Sequence, residues 1–375
     1  MAGRIFTCLA VLATLLAAAP LAAPAHAWTG FTTLPDTPLD SDPSCALESP
    51  EIAICAAIGP GSELMYNIWN GSGWRAWGFL PGVATSAPSC SGAGVGTSQL
   101  TGKVVCAARD IGLNLMAVLF TGGKPSAASV TVDVALGSAP SCTPLSGNSA
   151  SSAVLCAGRS PTGQLVAALY NGSGAWSSAS WTTIAPQFYA VNSPVSCTAG
   201  GPSAGEAVCA WLTKGNAVEA ALFNGTTWSA EVDLGGAATN PPACVGYFGY
   251  FPEGVVFCFV TGADSGLWFN EYGRPGFTTA NWLGWNSLGG LVHGFSCGLW
   301  GGGVDAACGV TGLTNSGFWT IQEAIDVWGG WVQQGAGAYI GNPSCLWLNP
   351  GQGIKGEALC VVTEENGQAA SIIGP

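Results

Sequence analysis

The chain has 375 residues, of which only 8% are charged, and 9 Lys and Arg against 21 Asp and Glu give a formal net charge of −12. Such a chain lacks the basic face that nucleic-acid binding requires, and its 2 His leave little material for histidine catalysis or histidine-rich metal sites. An apolar fraction of 48% excludes a disordered chain.

Residues 1–27 predict a secretory signal peptide. Arg4 precedes an apolar run from Ile5 to Leu16, and an Ala-x-Ala site follows at residues 25–27. The alternative, a membrane anchor, is disfavoured because the run is shorter than the ~20 residues that a span needs. We therefore expect a secreted, extracellular protein that starts at Trp28 and has no membrane span after signal cleavage.

The cysteines beyond the signal segment fall into seven pairs. Each pair recurs after roughly 50 residues, a period typical of repeat architectures. One pair per repeat is the only pairing that treats every repeat alike, and export leads to an oxidising compartment, so we predict one disulfide per repeat. Free buried thiols are the alternative; zinc is disfavoured because no Cys-x-x-Cys occurs. The predicted pairs are Cys45 with Cys55, Cys90 with Cys106, Cys142 with Cys156, Cys197 with Cys209, Cys244 with Cys258, Cys297 with Cys308, and Cys345 with Cys360.

Each repeat predicts four short antiparallel strands. The first follows a Pro-Ser-Cys segment, as at residues 88–90, and the second is small and apolar, as at residues 104–107. The third, such as Leu165 to Tyr170, ends in an Asn-Gly pair that is typical of a tight hairpin turn. The fourth begins with Trp and ends in Leu-Gly, as in Trp228 to Gly235. Four such strands per ~50 residues form a β-propeller blade.

The two ends of the chain predict that the ring of blades is closed. After Cys360 only two more strands fit, and residues 28–34 resemble an unpaired fourth strand. We therefore predict an all-β fold in which residues 28–375 form a single seven-bladed β-propeller, closed by the N-terminal strand completing the last blade. An open solenoid of seven β units is the alternative, which the unpaired strand disfavours.

Several motifs resemble the repeat of the PLL-like seven-bladed propeller lectins. Residues 257–268 resemble the Phe-Val-Arg-Gly-Thr-Asp-x-x-Leu-Trp run of that repeat, and Ser-Ala-Pro segments and Leu-Gly-Gly closures also match. The arginine of the run stands in this chain only as Arg109 and Arg159, and its tryptophan only as Trp268 and Trp319. The resemblance implies carbohydrate binding, with these four residues as candidate sugar contacts and with sugar rings stacked on the indoles.

A second set of candidates lies in the loops between the paired cysteines. In repeats two to four these loops are small and polar, whereas in repeats five to seven they carry Tyr247, Tyr250, Trp300 and Trp347. Loop aromatics with no core to fill indicate a recognition surface. The alternative is that they pack on each other as a loop cluster.

Three functions remain open at this point. The first is a secreted protein that binds glycans or glycoconjugates, and the second is a protein-interaction or surface-structural propeller with an extracellular protein as partner. The third, a polysaccharide-active hydrolase or lyase, is the weakest, because hydrolysis needs two carboxylates roughly 5–9 Å apart and the repeats mark no such pair. We therefore predict no catalytic residues, no cofactor and no metal.

Overall fold

The computed structural model describes residues 29–34, 37–92, 102–126, 129–145, 153–172, 176–177, 193–200, 205–247, 255–272, 281–300, 305–324, 327–348 and 357–374. Across these ranges the chain forms seven antiparallel sheets arranged as the blades of a propeller. No helix in them is long and apolar enough to cross a membrane.

The first three blades follow the N-terminal strand β1 (Thr32–Thr33), which belongs to the last blade. Blade 1 contains β2 (Ser44–Ser49), β3 (Ile52–Ile58), β4 (Glu63–Trp69) and β5 (Gly78–Val83). Blade 2 contains β6 (Ser89–Gly92), β7 (Lys103–Arg109), β8 (Asn114–Thr121) and β9 (Val130–Ala135). Blade 3 contains β10 (Ser141–Pro144), β11 (Val154–Arg159), β12 (Leu165–Tyr170) and β13 (Trp176–Ser177).

The remaining four blades repeat this order. Blade 4 contains β14 (Ser196–Ala199), β15 (Ala207–Leu212), β16 (Val218–Phe223) and β17 (Val232–Gly235). Blade 5 contains β18 (Ala243–Tyr247), β19 (Val255–Thr261), β20 (Leu267–Tyr272) and β21 (Trp282–Gly289). Blade 6 contains β22 (Val292–Trp300), β23 (Asp305–Gly312), β24 (Phe318–Ala324), β25 (Val327–Trp328) and β26 (Val332–Gly335). Blade 7 contains β27 (Tyr339–Leu348), β28 (Glu357–Glu364), β29 (Ala369–Gly374) and β1.

The seven predicted disulfides are confirmed, one in each blade. Every bond joins two cysteines that lie directly opposite each other in the first and second strands, as Cys142 does with Cys156. Their Cα atoms are 4.0 Å apart, the short spacing of a non-hydrogen-bonded antiparallel pair. Small residues flank the cysteine in most second strands, so the disulfides replace part of the side-chain packing near the axis.

The first strands surround the propeller axis, and hydrogen bonds between blades link them. Each first strand contacts the first strand of the next blade, and β27 contacts β2 to close the circle. At six of the seven interfaces the cysteine N–H donates to the hydroxyl of the serine that precedes the cysteine of the previous blade. These serines are Ser44, Ser89, Ser141, Ser196, Ser296 and Ser344. The serine of each Pro-Ser-Cys segment is therefore a link between blades.

The N-terminal strand completes blade 7, as predicted. In β1, Thr32 pairs with Ser371 and Thr33 with Ala370, both in β29. The Thr29 N–H donates to the Ile373 carbonyl at 2.7 Å. The two ends of the chain therefore share one sheet, which leaves no open edge between the first and last blades.

One predicted strand differs from the structure. The fourth strand of blade 4 was expected to begin at Trp228, but β17 begins at Val232 and Trp228 forms only an isolated bridge with Phe223. The Ser229 hydroxyl accepts the Leu222 N–H at 3.0 Å and donates to the Ala230 carbonyl at 2.7 Å. These side-chain bonds replace part of the ladder, so β17 starts four residues later than expected.

Candidate functional site

The antiparallel topology divides the predicted site residues between the two ends of the blades. We call the end where the chain crosses to the next blade, and where second strands turn into third strands, the crossover rim. The opposite end, where the cysteine loops and Asn-Gly turns lie, is the loop rim. Arg109, Arg159, Trp268 and Trp319 lie at the crossover rim, while Tyr247, Trp300 and Trp347 end first strands at the loop rim. The sequence-predicted candidates therefore do not form one site.

Trp268 is held at the crossover rim by the turn that precedes it. Its indole N–H donates to Asp264 Oδ1 at 3.0 Å, and the Gly266 N–H donates to the same oxygen at 3.0 Å. Ser265, between them, adopts the left-handed conformation with φ of 61°. The indole is only partly buried, packing against the interface between blades 4 and 5. Since its only polar group is satisfied within the protein, its orientation is fixed before any ligand arrives.

Trp319 repeats this arrangement one blade further on. Its indole N–H donates to Asn315 Oδ1 at 3.4 Å, and the Gly317 N–H donates to the same oxygen at 3.2 Å. Ser316 has a φ of 49°, like its counterpart in blade 5. The ring is partly buried against the interface between blades 5 and 6. Two successive blades thus present a half-exposed indole in the same setting.

A second tryptophan lies near each of these indoles, Trp285 in the fourth strand β21 and Trp331 directly before β26. The register places Trp285 diagonally across from Trp268, because Trp268 pairs with Ser287 and Asn270 with Trp285. The Trp285 N–H donates to the Leu234 carbonyl of blade 4 at 2.8 Å. In blade 6, Trp331 donates in the same way to the Leu288 carbonyl of blade 5 at 2.9 Å.

The Leu-Gly-Gly closures of blades 4 and 5 receive these supporting rings. Gly236 has a φ of +83°, and a Cβ there would lie 2.9 Å from Trp285 Nε1. Gly290 has a φ of +80°, and its Cβ would lie 3.3 Å from the Trp331 ring. Both the backbone conformation and the close approach require glycine at these two positions. We call Trp268, Trp285 and Asp264 the blade-5 site, and Trp319, Trp331 and Asn315 the blade-6 site.

The other blades carry no exposed ring at the position of Trp268. The pairing of second and third strands places other residues there, none of which presents an indole face: Met65, Met116, Val166, Glu219 and Ala370. In blade 4 the indole moves to the second strand, where Trp211 is fully buried and donates to Glu219 Oε2 at 3.2 Å. Burial is the largest cause of a raised pKa of Glu219, and repulsion from Glu231 and Asp233 adds to it. The hydrogen bond from Trp211 lowers the pKa but does not offset that rise.

The electrostatics of the two sites differ. Asp264 is fully exposed, and the bonds from the Trp268 indole and from the Gly266 N–H lower the pKa of its carboxyl. The blade-5 site therefore carries a fixed negative charge at neutral pH. The corresponding Asn315 is neutral, and its Oδ1 already accepts two N–H groups, which leaves its Nδ2 as the outward group.

The two predicted arginines hold the connections between blades. Arg109 donates from Nη2 to the Thr85 carbonyl at 2.9 Å and from Nε to the Thr85 hydroxyl at 3.1 Å. Arg159 donates from Nη2 to the Gly137 carbonyl at 3.0 Å. Both guanidinium groups thus bind the chain segment that leads from the previous blade into the first strand of their own blade. Neither contributes to the blade-5 or blade-6 site, which lie on other blades.

The loop-rim candidates fall largely outside the described residues. Tyr250 lies outside them, and Tyr247, Trp300 and Trp347 are described in their backbone only, as the last or next-to-last residues of first strands. No group of His, Cys, Asp and Glu that would hold a metal ion occurs within the described ranges. Sequence reasoning missed Asp264 and Asn315 as partners of the indoles. Their shared spacing was visible in the sequence, because each stands four residues before its Trp and is followed by a Ser-Gly pair.

Comparison with solved structures finds a similar architecture in several proteins that are described as lectins. The BP39L lectin from Burkholderia pseudomallei superposes with a TM-score of 0.69 at 11% identity, covering 90% of this chain and 96% of the lectin. The SapL1 lectin in complex with α-methyl fucoside gives a TM-score of 0.51 at 9% identity, covering 80% and 96%. A fucose-specific lectin from Aleuria aurantia gives 0.50 at 12% identity, covering 80% and 98%.

At these identities the likeness establishes a shared fold, which is the β-propeller. No protein-family model matches the chain, and no curated protein matches it. The function therefore has to be argued from the two tryptophan sites themselves.

Proposed function

We propose that this chain is a secreted, non-catalytic carbohydrate-binding propeller whose sugar sites are the blade-5 and blade-6 sites. A signal peptide of residues 1–27 exports it, and residues 28–375 form the extracellular binding domain. Glycans or glycoconjugates are its partners. The fold neighbours support this proposal, because they are propeller lectins and two of them are described as fucose-specific or bound to a fucoside.

The observation that carries the proposal is the repeated, half-exposed indole with a satisfied N–H. The C–H face of a sugar ring packs on an aromatic face, and a few polar groups beside it fix the orientation. Trp268 and Trp319 each offer such a face, and Asp264 and Asn315 each supply a polar group next to it. The buried Trp211 of blade 4 offers no face, which limits the proposed sites to blades 5 and 6.

The loop-rim aromatics are a second, separate proposal. Tyr247, Tyr250, Trp300 and Trp347 belong to the opposite end of the propeller, so a surface there would act independently of the two sites. An extracellular protein or a longer glycan would be its partner. Arg109 and Arg159 are separate candidate sugar contacts on blades 2 and 3, and each already donates one guanidinium N–H to a backbone carbonyl.

The proposal is tested on a glycan array that includes α-methyl fucoside, using the oxidised chain from Trp28. Trp268→Ala combined with Trp319→Ala should weaken binding at least about tenfold, because each loses its stacking face. Phe79→Ala is the matched control, since Phe79 is an aromatic side chain on blade 1 that is 62% exposed and distant from both sites. Circular dichroism and intact mass confirm that each variant is folded and disulfide-bonded.

Three results would count against the proposal in different ways. Binding that survives the double variant would move the sugar site to the loop rim. Absence of binding to every glycan would favour the protein-interaction alternative. Turnover of a polysaccharide by the purified chain would contradict the non-catalytic assignment.

A further inference from the structure

The blade-5 and blade-6 sites have matched geometry but opposite polar chemistry. In blade 5 the group beside the indole is the Asp264 carboxylate, of which Oδ1 accepts the indole N–H and the Gly266 N–H. Its second oxygen, Oδ2, extends from an exposed carboxylate and is an acceptor only. The residue opposite Trp268 on the fourth strand is Ser287, whose hydroxyl accepts the Gly289 N–H. This site is therefore negatively charged, with the Asp264 carboxylate as its acceptor and the Ser287 hydroxyl able to donate or accept.

In blade 6 the same positions are occupied by two primary amides. Asn315 replaces Asp264, and its Oδ1 accepts both the indole N–H and the Gly317 N–H, so its Nδ2 is the group left for a ligand. Gln333 replaces Ser287 and pairs directly with Trp319. The two amides are uncharged and offer N–H donors, with Gln333 Oε1 as an acceptor.

The Gln333 amide and the Trp319 indole N–H both lie beside Gly317. A Cβ added to Gly317 would be 2.9 Å from Gln333 Nε2 and 3.2 Å from Trp319 Nε1. The Gln333 amide is exposed, and Nε2 uses one of its two hydrogens on the Gly335 carbonyl at 3.3 Å. Its other hydrogen and the Asn315 Nδ2 are N–H donors at the edge of the Trp319 ring that carries the indole N–H.

We propose that the blade-6 site binds sugars that carry a carboxylate, whereas the blade-5 site binds neutral sugars and rejects carboxylates. This inference rests on the proposed function and adds the ligand class of each site. Amide N–H donors pair with carboxylate oxygens, and a hydrogen bond to a charged acceptor is about twice as strong as a neutral one. At the blade-5 site the same carboxylate would face the Asp264 carboxylate and be repelled.

The net charge of the whole molecule does not cancel the difference in ligand preference between the blade-5 and blade-6 sites. The net charge of −12 opposes every anionic ligand, but exposed charges further away than about 8 Å are largely screened at physiological ionic strength. On the same face of β24 the nearest acidic residue is Glu323, four positions along the strand and thus about 13 Å from Trp319. On blade 7, Glu364 pairs with Tyr339, whose N–H donates to the Ser316 carbonyl at 2.9 Å beside Asn315. Carboxylate binding at the blade-6 site therefore requires that the amide donors beside Trp319 outweigh the repulsion from Glu364.

The test follows the two indole ¹H–¹⁵N signals by NMR, assigned with Trp268→Phe and Trp319→Phe. The probes are matched methyl glycosides of glucose and glucuronate, of galactose and galacturonate, and the methyl glycoside of sialic acid, which separates uronates from sialates as the carboxylate source. We expect a carboxylate sugar to shift the Trp319 signal and to bind at Trp268 at least about tenfold more weakly. Raising the salt concentration should narrow that ratio, because the repulsion is electrostatic.

Two exchanged variants decide whether the polar side chain causes the difference. Asp264→Asn should admit carboxylate sugars at Trp268, and Asn315→Asp should exclude them at Trp319. Both keep an Oδ1 that accepts the indole N–H, so the indole stays in place. A carboxylate response that is equal at both indoles, absent at Trp319, or unchanged by the exchange would overturn the inference. If neutral sugars still shift either indole in those cases, the proposed function stands without it; if no sugar shifts either indole, both fail.

Discussion

Ala243 occupies the position at which the other six blades carry a serine that links first strands. It pairs with Phe259 on the second strand, a fully buried ring, where the serines of other blades face small residues such as Ala157. The Cys297 N–H of blade 6 therefore meets a methyl group where its counterparts meet a hydroxyl. The circle of hydrogen bonds around the axis is interrupted at the interface between blades 5 and 6.

Restoring the serine should stabilise the ring. Ala243→Ser is expected to raise the free energy of unfolding by about 0.5–1.5 kcal/mol, the net value of one hydrogen bond. Ser141→Ala is the matched opposite, and it should lower the free energy of unfolding by about 1–3 kcal/mol because the Cys197 N–H loses its acceptor. Denaturant titration of both variants measures the two changes. Equal effects of the same sign would show that the serines do not link the blades.

Glu48 is a buried carboxylate on the first strand of blade 1. It is 1% exposed, and Oε2 accepts the Gly123 N–H of blade 2 at 2.6 Å. Burial raises the pKa of Glu48, and the bonds from the Gly123 and Gly122 N–H groups only partly oppose that rise. The folded state thus holds the proton more tightly than the unfolded state does.

The consequence is a stability that depends on pH in a defined direction. The contribution of Glu48 is fully present below the pKa of an unfolded glutamate and is lost as pH rises through the raised pKa of the folded state. The stability of the wild type relative to Glu48→Gln should therefore decrease as pH rises from about 4 to 8. Urea unfolding of both proteins across that range measures the difference. A difference that is constant with pH, or that grows in favour of the wild type, would contradict this assignment.

At the level of the element, a tryptophan of the following blade packs against each of the Leu-Gly-Gly closures of blades 4 and 5. Gly290→Ala would place a Cβ 3.3 Å from the Trp331 ring in a conformation with φ of +80°. We expect a loss of about 1–2 kcal/mol in the free energy of unfolding and a shift of the neighbouring Trp319 indole signal. Gly330→Ala is the matched control, because nothing lies within 4 Å of a Cβ there and its φ is not left-handed. Equal losses of unfolding free energy in both variants would show that the contact between Gly290 and Trp331 does not stabilise the fold.

The strands and their pairing were largely predictable from the sequence because each is marked by a local signal. The third strand from Leu165 to Tyr170 and the strand at the end of the chain follow from apolar spacing and turn residues. The shortened β17 was not predictable, since it depends on the Ser229 hydroxyl competing with the backbone for Leu222. The division of the candidate residues between two rims could be seen only once the strand topology was known. Tyr247 and Trp268, for example, belong to the same blade but lie at its opposite ends.

At the scale of the whole molecule, the seven blades share one scaffold but differ in the side chains at the crossover rim. One disulfide per blade and six serine links repeat around the axis, so the scaffold treats the blades alike. The crossover rim differs between blades: among the described residues, a half-exposed indole occupies the position of Trp268 on blades 5 and 6, and Met, Val, Glu or Ala occupies it on the other blades. The repeat in the sequence predicted the scaffold, whereas the proposed binding positions required the side-chain contacts that distinguish one blade from another.

The measurement that tests this account most directly is the stoichiometry of sugar binding by isothermal titration calorimetry. The ligands are one neutral glycoside and one carboxylate glycoside that bind on the array. Across the two ligands, the account predicts two sites per chain. Trp268→Ala should remove the site that prefers the neutral glycoside, and Trp319→Ala the site that prefers the carboxylate. A stoichiometry of seven per chain, or two sites that both survive the two substitutions, would contradict the claim that blades 5 and 6 alone bind sugar through these indoles.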